Sequence, residues 1–149
     1  MRRYIFVLVL MIMPLLAKAQ SGGYLHVETT SSSQEDVTFV LKVFCDNKKT
    51  LDYEANIAAL RCVMFDGIPD TRFSKPLLSG GEKTEMEKHQ DYFENLYDSR
   101  WTDFVKSYKM ISKFKKSGDK KSTLFEVTVK ASLLRKDLEK NRIKNILGI

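Results

Sequence analysis

Glu85 and His89 stand four residues apart, the spacing that puts two side chains on one helix face, and His26 is the only other histidine. A zinc centre takes at least three protein ligands. Nothing else in the chain has ligand spacing, so the pair reads as an ordinary i,i+4 contact, and neither a metal nor a cofactor is expected. Cys62 and His89 would supply a thiol nucleophile and its base, but a reactive thiol needs an exposed, electropositive setting. Cys62 lies instead in an apolar stripe, where free cysteine behaves as a small buried hydrophobe. With no Gly-x-Ser-x-Gly elbow, phosphate loop or dinucleotide fingerprint present, no catalytic residue is assigned.

What remains is contact chemistry. Lys106, Lys109, Lys113, Lys115, Lys116, Lys120 and Lys121 crowd one segment, a pattern that suits anionic headgroups, lipopolysaccharide or an acidic protein. Lysines at outward strand positions also block edge pairing, which is the plainer use of the same residues. Tyr92, Phe93, Tyr97, Trp101 and Phe104 are residues that can line a ligand groove, but their helical spacing favours core packing, with Trp101 the best candidate for a partly exposed contact. The candidate contact surface is therefore Lys109, Lys113, Lys115, Lys116, Lys120, Lys121 and Trp101.

The elements that carry these residues follow from periodicity. Residues 20–36, rich in Ser, Thr and Gly, form a flexible lead-in or an edge strand, and a single domain occupies 37–149. Val37, Phe39, Leu41, Val43 and Cys45 alternate as a strand with one buried face. A helix capped by Thr50 or Asp52 carries Ala55, Ala58, Ala59, Cys62 and Phe65 and stops at Asp66-Gly67-Ile68-Pro69. An irregular connection over 70–81 is pinned by Phe73, Leu77 and Leu78 and is a candidate mobile loop. A second helix is expected over 84–97, with Glu87 three residues after Thr84 as a capping-box partner, and a short third one around Trp101. Alternation over 108–116 and 123–133 around Ser117-Gly118-Asp119 predicts a hairpin with Phe125, Val127, Val129, Ala131 and Leu133 inward. A last helix is expected from Arg135 onward. The order strand, helix, helix, hairpin, helix implies an α+β fold, a small, mostly antiparallel sheet with helices on one face.

Residues 1–19 read as a signal peptide: Arg2 and Arg3, an apolar run over 4–16, then Ala17-Lys18-Ala19, with cleavage before Gln20. The run is too short for the roughly 20 residues of a membrane-spanning helix. Loss of Arg2, Arg3 and Lys18 lowers the formal charge from +6 to +3, too modest for a nucleic-acid footprint. A periplasmic or secreted product with no retained membrane segment is expected. Cys45 ends a strand and Cys62 lies well along the next helix, an offset that favours two buried thiols over a disulfide unless the loop between them bends sharply.

The stretch Glu54-Ala55-Asn56-Ile57-Ala58-Ala59-Leu60-Arg61-Cys62-Val63-Met64-Phe65-Asp66-Gly67-Ile68-Pro69, with Lys75-Pro76-Leu77-Leu78 and His89-Gln90-Asp91-Tyr92-Phe93, resembles small exported proteins of Bacteroidota of unassigned function. In layout the chain is also similar to the domain shared by LPP20-type lipoproteins and the N-terminal part of flagellar assembly protein T. That resemblance implies an envelope-associated domain used for assembly or binding, with no catalytic residues to carry across; the lipoprotein members' lipobox cysteine is missing. The leading expectation is a non-enzymatic exported binding or assembly domain whose partner is an envelope protein or an anionic envelope surface. The alternative is a small periplasmic hydrolase or ligand-binding enzyme with a pocket near His89 and the 70–81 loop.

Overall fold

In the computed structural model, residues 23–117 and 120–143 are described. The signal segment with its cut before Gln20, the Gly118-Asp119 turn, and Ile146 and Leu147 of the tail lie outside them. Five strands form one antiparallel sheet: β1 (Tyr24–Ser32), β2 (Val37–Phe44), β3 (Val105–Met110), β4 (Lys115–Ser117) and β5 (Lys120–Val129). The order across the sheet is β1-β2-β5-β3, and β4 also pairs with β5. Helices α1 (Leu51–Arg61), α2 (Glu82–Lys88), α3 (Gln90–Asp98) and α4 (Ala131–Lys140) complete an α+β fold. No helix among the described residues is long and apolar enough to cross a membrane.

Strand alternation sorts the sheet into two faces. Val37, Phe39, Leu41 and Val43 of β2 share the buried face with Phe125, Val127 and Val129 of β5 and join one core with Ala55, Leu60, Phe93, Leu96 and Leu134. The other face carries Thr38 and Thr128, whose hydroxyls meet at 2.8 Å, and Glu126, which accepts from Thr30 at 3.4 Å. The Ser/Thr-rich segment before Val37 is thus an edge strand, with two register shifts that twist it away from further pairing.

Helix α1 places Asp52 and Glu54 in its first turn and Arg61 in its last, both favourable to the helix dipole. Neither Thr50 nor Asp52 caps it by side chain; Asn47 instead accepts from the Lys49 amide at 3.0 Å in the preceding turn. The helix widens into a π turn over Cys62–Asp66 that Gly67 ends at φ 82°. The carbonyls this turn leaves open accept from the loop: Leu77 N donates to Val63 O at 3.4 Å and Leu78 N to Met64 O at 2.9 Å. With Phe73, Leu77 and Leu78 buried, the 70–81 connection is strapped to the core along most of its length.

Several expectations change. The strand over 108–116 is two, β3 and the short β4, interrupted between Met110 and Lys115, and Gly81 rather than Thr84 precedes the helix, so the Thr84–Glu87 capping box is not formed. The single helix over 84–97 is two helices that begin at Glu82 and break at His89, where φ is −130° and ψ 45°. The break separates a segment with no fully buried apolar residue from one that buries Phe93 and Leu96. Ala131 and Leu133 belong to α4 and not to the hairpin, because Ala131, Leu134 and Leu138 form a buried helical stripe while Leu133 is 46% exposed. Helix α4 ends with Ile143 N donating to Leu138 O at 2.9 Å around Arg142, which holds φ 60°. That closure favours glycine at the left-handed position. Arg142→Gly is expected to stabilise the fold by about 0.5–1 kcal/mol in urea unfolding, since it removes the strain of a side chain there.

Candidate functional site: a lysine hairpin and an acidic helical groove

Pairing of β4 with β5 sets Lys115 opposite Ser122 and Lys116 opposite Lys121. Lys113, Lys115, Lys116 and Lys121 are exposed, and none has a carboxylate partner among the described residues. Lys121 Nζ sits 5.8 Å from the centroid of the half-buried Phe114 ring. Lys120 joins β5 through its backbone, and its side chain lies outside the described residues. Lys109 is opposite Glu126 on the sheet face away from the core, and Lys106 is held by Asp36 at 2.8 Å.

The hairpin therefore divides. Lys106 and Lys109 have acidic neighbours and serve the sheet. Lys113, Lys115, Lys116 and Lys121 form a cationic tip with no acidic partner among the described residues, and its facing pair, Lys116 and Lys121, costs stability, because like charges directly opposite in an antiparallel pair repel. Lys116→Thr is expected to raise the unfolding free energy by about 0.2–1 kcal/mol, read by urea denaturation at low salt.

Trp101 is not part of this tip. In the turn Arg100–Asp103 it is half-buried, edge-on to Tyr53 of α1 at 6.2 Å between centroids, while Tyr53 donates to Tyr97 O at 2.8 Å. It locks the connection after α3 onto α1.

The second feature lies along α2 and α3, an open groove of about 630 Å³. Met86, Phe93 and Tyr97 supply its apolar part; Glu82, Lys83, Glu87 and Glu94 are its charged margin. Under one end is a polar cluster. Arg61 Nη2 donates to Glu82 Oε2 at 2.8 Å, with Nε 2.5 Å from the other carboxylate oxygen but poorly aligned for a hydrogen bond. The Arg61 guanidinium also lies 5.4 Å from the Tyr24 ring, and the Tyr24 hydroxyl donates to Asp66 Oδ2 at 2.6 Å. Burial, reinforced by Asp66, pushes the Tyr24 phenol well above its ordinary value. Tyr97, whose buried hydroxyl finds no partner among the described residues, is pushed up by burial and then by Glu82.

A matching cluster fastens α4. Asp137 accepts from the Tyr92 hydroxyl and from Arg100 Nη2, each at 2.7 Å. Both clusters join residues too far apart in sequence, 42 positions for Tyr24 and Asp66 and 45 for Tyr92 and Asp137, for any local pattern to expose them.

His89 Nε2 is 3.9 Å from Glu85 Oε2, the expected i,i+4 neighbour, and His26 bonds Thr29 at 3.2 Å beside Phe39. Neither His89 nor any residue of 70–81 lines the groove. Cys62 is buried and free, its thiol pushed up to about 12 by burial and then by Asp66, the opposite of nucleophile activation. Cys45 is half-buried and free, with its sulfur 3.2 Å from Asn47 O. Among the described residues, no group of three His, Cys, Asp or Glu side chains is arranged to hold a metal. No protein-family model matches the chain, and no curated protein or solved structure is detectably similar to it.

Proposed function

We propose that this protein is an exported, non-enzymatic binding or assembly domain of the bacterial envelope that takes hold of an anionic partner surface through its lysine hairpin. The observation that carries this reading is the hairpin, where Lys116 faces Lys121 with Lys113 and Lys115 nearby and none of the four has a carboxylate partner among the described residues. A positive field that costs the fold stability is accounted for by a negative partner, which repays the repulsion on contact. The leader-like residues 1–19 and the resemblance to exported Bacteroidota proteins support the compartment.

The test is crosslinking in intact cells of the source, followed by capture of the mature protein and mass spectrometry of the chain and its partners. One saturable, salt-sensitive envelope partner that weakens when Lys113, Lys115, Lys116 and Lys121 are changed to Ser supports the reading. A mature chain that keeps residues 1–19, or retention that ignores the lysines, overturns it.

A further inference from the structure

Residues 82–98 hold six carboxylates against two lysines, and residues 106–121 hold seven lysines against one aspartate. The two segments are opposite in charge, yet no ion pair joins them within the chain among the described residues. Each also carries apolar surface beside its charge. The groove offers Met86 and Tyr97, both half-buried, next to Glu87 and Glu94. The hairpin offers Ile111, 44% exposed, and Phe114 next to its lysines.

We infer that the hairpin face carrying Lys113, Lys115, Lys116 and Lys121 of one copy of this protein docks into the acidic groove along α2 and α3 of a second copy, head to tail. This rests on the proposed role of the hairpin as a contact surface and names an additional partner for it. The fit is chemical. An apolar centre with charged margins is the anatomy of a protein interface, and opposite fields set the register and speed the encounter. Such a contact uses different patches on the two copies, so it propagates or closes into a ring according to its rotation. The charged margin makes it weaken with salt, because about 10 Å of screening length remains at 0.1 M.

Two charge-reversed variants of the purified mature protein separate the possibilities: Lys115→Glu with Lys116→Glu in the hairpin, and Glu87→Lys with Glu94→Lys in the groove. Circular dichroism confirms that each is folded. By light scattering at low salt, the wild type is expected to self-associate, each variant to lose at least about tenfold in association constant, and an equimolar mixture of the two to regain it. A wild type that stays monomeric overturns the inference, as does a mixture that stays monomeric. Binding of anionic vesicles or envelope extract, measured at protein concentrations too low for self-association, reports on the hairpin's role separately. A wild type that binds envelope material without self-associating rejects this inference alone, while a wild type that does neither rejects the hairpin reading itself.

Discussion

Gly67→Ala is expected to destabilise the protein by about 3–5 kcal/mol and to leave little folded chain near the growth temperature. Gly67 holds φ 82° and ψ 162°, a region that side-chain-bearing residues scarcely enter. A Cβ there would also lie 2.2 Å from the Ser74 carbonyl oxygen. That oxygen cannot retreat freely, because the peptide before it is held by the Ile68 amide donating to Phe73 O at 2.8 Å and the Ser74 amide donating to Thr71 O at 3.1 Å, and the chain after it by Leu78 N donating to Met64 O at 2.9 Å. The control is Gly81→Ala. Gly81 has a similar backbone, φ 79° and ψ 153°, with no atom within 4 Å of an added Cβ. Its substitution is expected to cost only the conformational part, about 1–3 kcal/mol. Urea unfolding of the pair isolates the steric contribution, and equal losses would show that the loop yields.

The second large effect is alkaline unfolding. The Cys62 thiol is raised from an ordinary 9.0 to about 12, and burial raises the phenols of Tyr24, Tyr92 and Tyr97 above their ordinary 10.0. In each case the unfolded chain gives up its proton first. Above the unfolded value it therefore binds fewer protons than the native state, and stability falls as pH rises. The contribution of Cys62 is intact below 9 and disappears between 9 and about 12. Its slope approaches about 1.4 kcal/mol per pH unit, with smaller slopes added above 10 for tyrosines that keep some contact with water. Unfolding free energy is expected to be unaffected by these four groups up to about pH 9 and to fall steadily beyond it. Cys62→Ala moves the onset toward 10, the tyrosine value, at a neutral-pH cost of about 1 kcal/mol for the small cavity. Stability that holds to about pH 11 would contradict the burial assigned to these groups.

How much of this was legible in the sequence differs by element. The strand from Val37 and the helix stop at Gly67 follow from strict alternation and a glycine signature, and both lie where expected. β1 was harder to read because Ser and Thr dominate it and its inward residues, such as Thr29 opposite Phe39, carry little hydrophobicity. The break at His89 involves neither glycine nor proline, the residues that usually mark one. The start of α4 was misplaced because Val127, Val129, Ala131 and Leu133 continue a period of two across Lys130, although the buried set switches to helical spacing at Ala131. The lysines were visible as a cluster. Their division into Lys106 and Lys109, with acidic neighbours, and four lysines without one among the described residues depends on strand register, which composition does not contain. The groove was legible only as the weaker reading of the aromatic group that includes Phe93 and Tyr97, because its acidic margin and apolar floor share one segment and only packing shapes the hollow.

The central claim is that the charge of the hairpin tip, and not its shape, holds the partner. Envelope retention of the mature protein after washing intact cells tests it most directly, comparing wild type with two quadruple variants at Lys113, Lys115, Lys116 and Lys121. Replacement by Arg, which keeps every charge, is predicted to retain the protein as the wild type does. Replacement by Ser is predicted to release it by at least about tenfold, as expected for loss of several close charge contacts. Equal retention of the Ser variant, or equal release of the Arg variant, would contradict the account.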